Sequence, residues 1–273
     1  MPEKPEVVTV SQSLKKRILH KKITGCYVYW DNIIAYPTVN EFKKRIIDEV
    51  IQNITTRGKF IVIELDHYSL LVHLRMEGKF FFREIGESFS KHEHVELILD
   101  GNISFRYHDV RKFGKMYLFA KKDVYEVKPL SGLGLEYNDE NLTVDYLYCK
   151  IHPRKKAIKT VLLDQSIIAG IGNIYANEIL FMSRIHPERK ASEITKEECK
   201  KIIKNCKIVL DKAIQLGGTT VRSFTSSEGV HGLFQIELLV HGKEGEECGY
   251  CNNKIKKIFV GGRGTYFCPY CQK

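Results

Sequence analysis

Four cysteines near the carboxyl end carry the strongest chemical signal: Cys248-x2-Cys251 and Cys268-x2-Cys271, with sixteen residues between the pairs. Each Cys-x2-Cys turn offers two thiolates to one tetrahedral ion, and the spacing falls in the window of a four-cysteine zinc site. Four protein ligands leave no open position, so an ion held there is structural. The competing reading, two disulfides or redox pairs, is disfavoured in a cytosol that keeps thiols reduced. The stretch from Lys254 to Arg263 can form a hairpin between the pairs, and Val260-Gly261-Gly262-Arg263-Gly264-Thr265 sets one arginine among glycines. Glycines permit close backbone approach and a guanidinium suits phosphate, although an arginine on a glycine turn is by itself most often an ordinary surface residue.

Two further constellations could carry chemistry. Ala169-Gly170-Ile171-Gly172-Asn173 opens a helix, leaving its first N–H groups available to an anion such as a DNA phosphate. It completes no G-x-G-x-x-G and no strand is expected before it, so it is not a dinucleotide site; after a helix over Ala157 to Gln165 it reads as a helix-turn-helix with a glycine turn. At the other end stand Met1, Pro2 and Glu3. Met1 before a small imino acid is expected to be removed, which exposes the secondary amine of Pro2. An amine at a helix N-terminus has a lowered pKa and more nucleophilic free base, and a neighbouring carboxylic acid can move a proton during attack on carbon. Taken alone, a Met-Pro-Glu start carries no meaning.

The elements that must position these groups follow from periodicity. Val7, Val10, Leu14 and Ile18 recur at helical steps behind Pro5. Short β-rich runs follow: Cys26 to Trp30, Phe60 to Leu65, Leu70 to Leu74, Lys79 to Arg83, Val95 to Leu99, Ile103 to Tyr107 and Lys115 to Phe119. A second helix with Phe42, Ile46 and Val50 on one face interrupts them. Their spacing predicts an antiparallel sandwich or flattened barrel over residues 1–130. After a Ser131 to Gly134 linker come helices over Val144 to Cys149, Ala157 to Gln165, Asn173 to Met182 and Thr195 to Gln215, the last with Cys199 and Cys206 on a core face. The expected class is multidomain α+β: residues 1–130 a β-sandwich flanked by helices, 131–235 helical, and 236–273 a zinc ribbon.

The chain has 273 residues, 31.6 kDa, with 43 Lys+Arg against 33 Asp+Glu, a net charge of +10 and a pI near 9.1. That length suits one or two domains, each with its own core. A hydrophobic fraction of 43% with 7 prolines excludes wholesale disorder and a small disulfide scaffold. The start lacks the apolar core of a signal peptide, and no apolar run reaches the ~18 to 20 residues of a membrane span, so a cytoplasmic protein is expected. The positive charge alone fits mere solubility as well as a polyanion partner. Its distribution favours the polyanion, because Lys15 to Arg17, Lys43 to Arg45, Arg111-Lys112, Arg154 to Lys159 and Lys254 to Lys257 are interleaved with Gly, Asn and aromatic residues.

Five motifs, in order along the chain, resemble the bacterial formamidopyrimidine-DNA glycosylase family: Met1 to Val7, Arg57 to Phe60, His108 to Gly114, Leu163 to Gln165 with Gly172 to Tyr175, and Gly262 to Thr265 through Cys268-Pro269-Tyr270-Cys271-Gln272. The resemblance implies an N-terminal β-sandwich, a helix-two-turn-helix domain and a zinc finger with one structural zinc ion. It implies a monomeric, cytoplasmic, nucleoid-associated bacterial enzyme of base excision repair acting on damaged double-stranded DNA. By resemblance, Pro2 attacks C1′ of the damaged nucleotide and becomes a Schiff base, and Glu3 is the acid that helps open the sugar. Lys59 is assigned to β-elimination and phosphate contact, Arg263 to δ-elimination and DNA contact. An enzyme working at C1′ inside a duplex must extrude the nucleotide and fill the void. Met76, Arg111 and Phe113 match the void-filling residues, with Arg111 and Phe113 expected to point the same way from a strand. His73, His92, Arg111, Arg154 and Asn173 match DNA-contacting positions. Ser223 to Leu233 corresponds to the loop that caps the everted base.

The sequence departs from the family pattern at several points. Lys4 stands for the usual leucine, Val8 for a glutamate, His241 for the tyrosine of Val-Tyr-Gly, and Leu135 for a proline. None removes a catalytic group, but together they leave lesion preference open. Oxidised purines are favoured by Arg111-Lys112-Phe113 and the Gly217 to Leu233 loop. The alternatives are an endonuclease VIII-like enzyme for oxidised pyrimidines and, from another class, a non-catalytic zinc-ribbon DNA-binding protein.

Overall fold

The computed structural model describes residues 1–219 and 233–273. They form two compact units: Met1–Ser131 with Gly217–Thr219, and Gly132–Leu216 with Leu233–Lys273.

The first unit opens with α1 (Lys4–Ile18), capped by Glu3 and with Pro5 in its first turn. Val7, Val10, Leu14 and Ile18 are at most 5% exposed, each contributing roughly 1.5–3 kcal/mol by burial. Lys15, Lys16 and Arg17 oppose the negative end of the helix dipole. Nine strands follow: β1 (Ile23–Val28), β2 (Ile34–Tyr36), β3 (Asn53–Arg57), β4 (Phe60–Glu64), β5 (Tyr68–His73), β6 (Lys79–Glu84), β7 (Glu93–Leu99), β8 (Ile103–His108) and β9 (Lys115–Ala120). They build a five-stranded sheet, β2-β9-β5-β4-β3, and a four-stranded sheet, β1-β7-β8-β6. Both sheets contribute to one buried cluster, Ile61, Leu70, Val72 and Leu118 from one and Ile23, Val95, Leu97 and Phe105 from the other, which makes a sandwich.

Three details depart from the sequence expectation. β2 pairs with β9 in parallel, so the sandwich is not wholly antiparallel. β2 and β3 were not expected, being short or lacking an apolar run. The second helix, α2 (Val39–Ile46), stops before Val50, because Asp48 takes φ +70° and the chain then runs extended, with Val50 bridged to Lys22.

The second unit contains a two-residue parallel pair, β10 (Leu135–Glu136) with β11 (Ile168–Ala169), and four helices: α3 (Val144–Ile151), α4 (Ile158–Leu162), α5 (Asn173–Ser183) and α6 (Lys196–Gln215). A short strand therefore does precede the glycine turn into α5, contrary to expectation, because Gly134 donates to the Gln165 carbonyl and brings β10 alongside. α5 is buried on nearly every side. Cys199 and Cys206 lie in the core face of α6, and burial raises both thiols, Cys199 to about 11. The hairpin between the cysteine pairs is β12 (Lys256–Val260) and β13 (Arg263–Phe267). It turns through Gly261 and Gly262, both at positive φ as a two-residue turn of this hand requires. No helix among the described residues is long and apolar enough to cross a membrane.

Candidate active site

Strand register gathers the motif loops of the first unit. Phe60 pairs with His73, and His73 with Lys115, so the Gly58-Lys59 turn and the segments after His73 and before Lys115 leave one end of the five-stranded sheet. In the other sheet His108 faces both Lys79 and Glu93. Leu74–Gly78 and Asp109–Gly114 are thus the crossovers that join the two sheets at this end. Tyr107 occupies the space between them: a Cβ on Gly78 would lie 2.2 Å from its hydroxyl, and one on Gly114 1.7 Å. Both positions therefore exclude any side chain.

Glu3 is 2% exposed and Lys59 7% exposed, and Pro2 is buried beside them. The chain's first amine, on Met1, is lowered by burial, which outweighs the opposing carboxylates of Glu3 and Glu6, and Lys59 lowers it further. Glu77 also acts on this amine, so the Met76-Glu77 turn faces the same place. His73 is held neutral, down to about 3, by burial and then by Arg75 and Lys59. Its Nδ1 accepts the Arg75 N–H at 3.0 Å. Pro2, Glu3, Lys59 and His73 thus form one neighbourhood, with Glu77, next to the half-buried Met76, acting on it electrostatically. Lys4 is buried as well, and its Nζ donates to Thr56 Oγ1 at 3.0 Å, one residue before the Arg57–Lys59 turn.

Arg111 and Phe113 are exposed and lie on a loop between β8 and β9, not on a strand as expected. Lys112 takes φ +58°, which breaks strand alternation, and the Arg111 guanidinium lies 4.8 Å from the Phe113 ring centroid. Asp109, wholly buried, organises this loop. Its carboxylate accepts the N–H of Arg111 at 3.0 Å and of Gly114 at 2.7 Å, and its carbonyl accepts His94 Nε2 at 2.8 Å. His92 adjoins the loop, its carbonyl accepting the Asp109 N–H. Asp109 was legible only as part of a motif; an aspartate two residues ahead of an exposed basic-aromatic pair is the signal that could have singled it out.

In the second unit, Asn173 begins α5 and donates through Nδ2 to the Gly264 carbonyl at 3.1 Å, while its buried Oδ1 has no partner among the described residues. Lys159, completely buried, donates to the same carbonyl at 3.1 Å and to Thr265 Oγ1 at 2.6 Å. Both residues therefore fix the backbone next to Arg263, whose side chain is exposed. Arg154 pairs with Asp164 at 2.6 Å and remains more than a third exposed. His241, which stands for the family's tyrosine, is uncharged. Its Nδ1 accepts from Asn177 at 2.6 Å, and burial with nearby Lys159 lowers it to about 4, leaving a neutral ring that can only donate through Nε2. Glu178, not anticipated from sequence, accepts three successive N–H groups, from Leu239, Val240 and His241, and so anchors the bend that leads into the ribbon.

The sulfurs of Cys248, Cys251, Cys268 and Cys271 lie within 4.8 Å of one another and none is in a disulfide. The Cys251–Cys268 and Cys248–Cys271 separations are 3.5 and 3.9 Å, against about 3.8 Å for sulfurs sharing a tetrahedral zinc at 2.3 Å. Burial and then the neighbouring sulfurs push Cys271 up to about 12. A dication removes that conflict, so the residues fit one structural zinc ion.

Comparison with known proteins agrees with this arrangement. The formamidopyrimidine-DNA glycosylase N-terminal domain matches residues 1–116, the formamidopyrimidine-DNA glycosylase H2TH domain 133–225, and a zinc finger found in FPG and IleRS 245–273. Formamidopyrimidine-DNA glycosylase of Bacillus subtilis is 43% identical over all of this chain and 99% of its own length, and that of Oceanobacillus iheyensis 42% identical over all of this chain and 98% of its own. The chain belongs to the formamidopyrimidine-DNA glycosylase family. Among solved structures, Lactococcus lactis Fpg bound to abasic-site DNA superposes with a TM-score of 0.92 at 36% identity over 99% of each chain. A MutM complex with carbocyclic 8-oxo-G DNA gives 0.92 at 36% over the whole of both chains. The cap loop expected over Ser223 to Leu233 falls, except for Leu233, outside the described residues.

Proposed function

We propose that this enzyme is a bifunctional DNA glycosylase and AP lyase that excises oxidised purines, 8-oxoguanine and formamidopyrimidines, from duplex DNA. The observation that carries the reading lies just ahead of α1: Pro2 and Glu3 are buried beside Lys59, and burial favours the unprotonated form of the terminal amine at this place. With Met1 removed, the Pro2 nitrogen attacks C1′ and the glycosidic electron pair leaves with the base, which takes up the proton that the Pro2 nitrogen gives up. Glu3 protonates the sugar-ring oxygen as the ring opens to the iminium. The iminium acidifies the adjacent C–H; loss of that proton expels the 3′ phosphate, and a second elimination expels the 5′ phosphate. Lys59 serves the first elimination and Arg263 the second, each gripping phosphate.

In this reading residues 1–130 are the catalytic domain, 131–235 the helix-two-turn-helix domain and 236–273 the zinc finger. His73, His92, Arg154 and Asn173 contact the backbone, while Met76, Arg111 and Phe113 fill the void. His73, being neutral, acts as a hydrogen-bond donor rather than a cation.

Borohydride trapping tests it on two duplexes, one with 8-oxoguanine opposite cytosine and one with an oxidised pyrimidine. An adduct mapped to Pro2 and formed faster on the first duplex supports the reading. Faster trapping on the second assigns the enzyme to pyrimidine lesions, a substrate class seen bound to the Lactococcus lactis relative, whose structure with oxidised-pyrimidine DNA has a TM-score of 0.92. Retained Met1, or no adduct on either duplex, overturns the mechanism, as does full base release by Pro2→Gly or Glu3→Gln.

A further inference from the structure

Beside the Arg111–Phe113 loop lies a cleft of about 460 Å³ that the reaction above does not use. Three aromatic side chains wall it, Tyr29, Trp30 and Phe89, and two lysines, Lys91 and Lys112, stand at its rim. Tyr29 is 51% and Phe89 42% exposed, yet both are rigidly supported from beneath. Their ring centroids lie 4.5 Å apart, and the Tyr29 hydroxyl donates to Glu96 at 3.2 Å. The wholly buried Arg106 guanidinium sits 3.7 Å behind the Phe89 ring and donates to the carbonyls of Glu87 and Ser88, fixing the segment that presents it. Arg106 is itself fixed by Glu93 and Glu96, so the exposed Phe89 ring rests on an immobile buried support.

The charge of the cleft is cationic. Its one carboxylate, Glu93, is committed to Arg106 at 3.1 Å and to the Ser90 N–H at 3.1 Å. Lys112 rests 3.9 Å over the Trp30 ring, and Lys115 donates to the Asn32 carbonyl, so the Trp30 segment is fastened to the middle of the Arg111–Phe113 loop and to the strand that follows it. Flat aromatic walls with ammonium groups at their rim match a nucleotide, its base on the rings and its phosphate on the lysines. Arg111 and Phe113 are the groups assigned above to the unpaired partner base, and the cleft begins at the residue between them.

We propose that this cleft is a subsite for the DNA strand opposite the lesion, which takes one base of that strand against Trp30, Tyr29 and Phe89 and its phosphate on Lys91 and Lys112. The phosphate draws the Lys112 ammonium off the indole, and the base takes its place. This rests on the DNA glycosylase reading.

Trp30 is the single tryptophan of the chain, so intrinsic emission reports on the cleft directly. The experiment titrates the zinc-loaded protein with a duplex containing a stable abasic analogue, and separately with the lesion strand alone, following emission and anisotropy of labelled DNA. The expected result is quenching of Trp30 by the duplex and much less by the single strand. In Phe89→Ala and Lys91→Ala the ratio of duplex to single-strand affinity should fall by about tenfold, as loss of one stacking contact predicts. Unchanged emission at saturating duplex, or an equal loss of both affinities in the variants, overturns the subsite while leaving the glycosylase reading intact. Failure of the parent protein to prefer the abasic duplex over an undamaged one overturns both.

Discussion

One carboxylate oxygen of Glu6 accepts both the backbone N–H and the hydroxyl of Thr219, at 2.8 and 3.1 Å, across 213 residues of sequence. The other oxygen accepts the N–H of Glu3 at 2.9 Å. A single side chain therefore fastens the N-terminus of α1, beside Pro2, to the residue from which the chain enters 220–232.

Gly218 makes this tie possible. It holds φ +78°, and a Cβ there would lie 2.6 Å from Glu6 Oε1. Gly218→Ala should destabilise by about 1–3 kcal/mol through backbone strain and the clash with Glu6. Base release should slow as well, since Glu6 cannot move without releasing Glu3. Thermal melting and single-turnover excision check this; a parental melting temperature would show that Glu6 can stand aside at no cost.

Asp109→Ala should disorder the Arg111–Phe113 loop by removing two acceptors at once. The expected loss is tenfold or more for excision from duplex substrate and smaller for strand cleavage at an abasic site in single-stranded DNA, where no stack needs wedging apart. Equal losses on the two substrates would place the defect in chemistry, not in extrusion.

Acid should weaken the fold through two histidines. His73 and His241 fall to about 3 and about 4 when folded, from an ordinary 6.5. Between these values the unfolded chain binds more protons, so stability rises with pH; it is fully present above about 6.5 and is lost as pH falls toward the folded values. Melting temperatures measured from pH 7.5 to 4.5 should drop, with a shallower slope in the His73→Gln, His241→Gln double variant. An identical slope in that variant would assign acid sensitivity to other groups.

Zinc removal should act on binding before chemistry. Chelation unfolds the ribbon, whose small core of Phe181, Val240 and Ile255 includes two of the cysteines themselves, and so releases the Arg263 turn. Duplex affinity should fall more than the rate of Schiff-base formation at saturating DNA, as titration and trapping in parallel would show. Metal-free protein with parental affinity would mean the hairpin holds without its ion.

The strands whose side chains alternate into the sandwich, and α6 with its core cysteines, could be read from periodicity because burial alone dictates them. β3, Asn53–Arg57, could not, since Asn, Thr and Arg fill most of it and its place comes from pairing with β4. The thiol quartet was legible because spacing alone constrains a tetrahedral site. Lys159, Glu178 and Asp109 were obscure for the opposite reason. Each looks like an ordinary surface charge in sequence; Lys159 and Glu178 become scaffolds only when distant carbonyls or N–H groups converge on them, and Asp109 only when its own loop folds back over its carboxylate. His241 shows the limit of analogy: its place in the motif says nothing of its charge, which burial and nearby Lys159 keep off the ring.

Tyr107 draws three distant positions into one unit of variation. Its hydroxyl fills the space that Gly78 and Gly114 leave at the two crossovers; a methyl group on Gly114 becomes tolerable only after the ring has shrunk, whereas one on Gly78 would still meet the Leu74 carbonyl oxygen at 2.6 Å. In a library of variants, Gly114→Ala should be lost from the parental background and recovered where Tyr107 has already become Ala or Ser. The order in which substitutions arrive, and not only their sum, then decides which sequences this sandwich can reach.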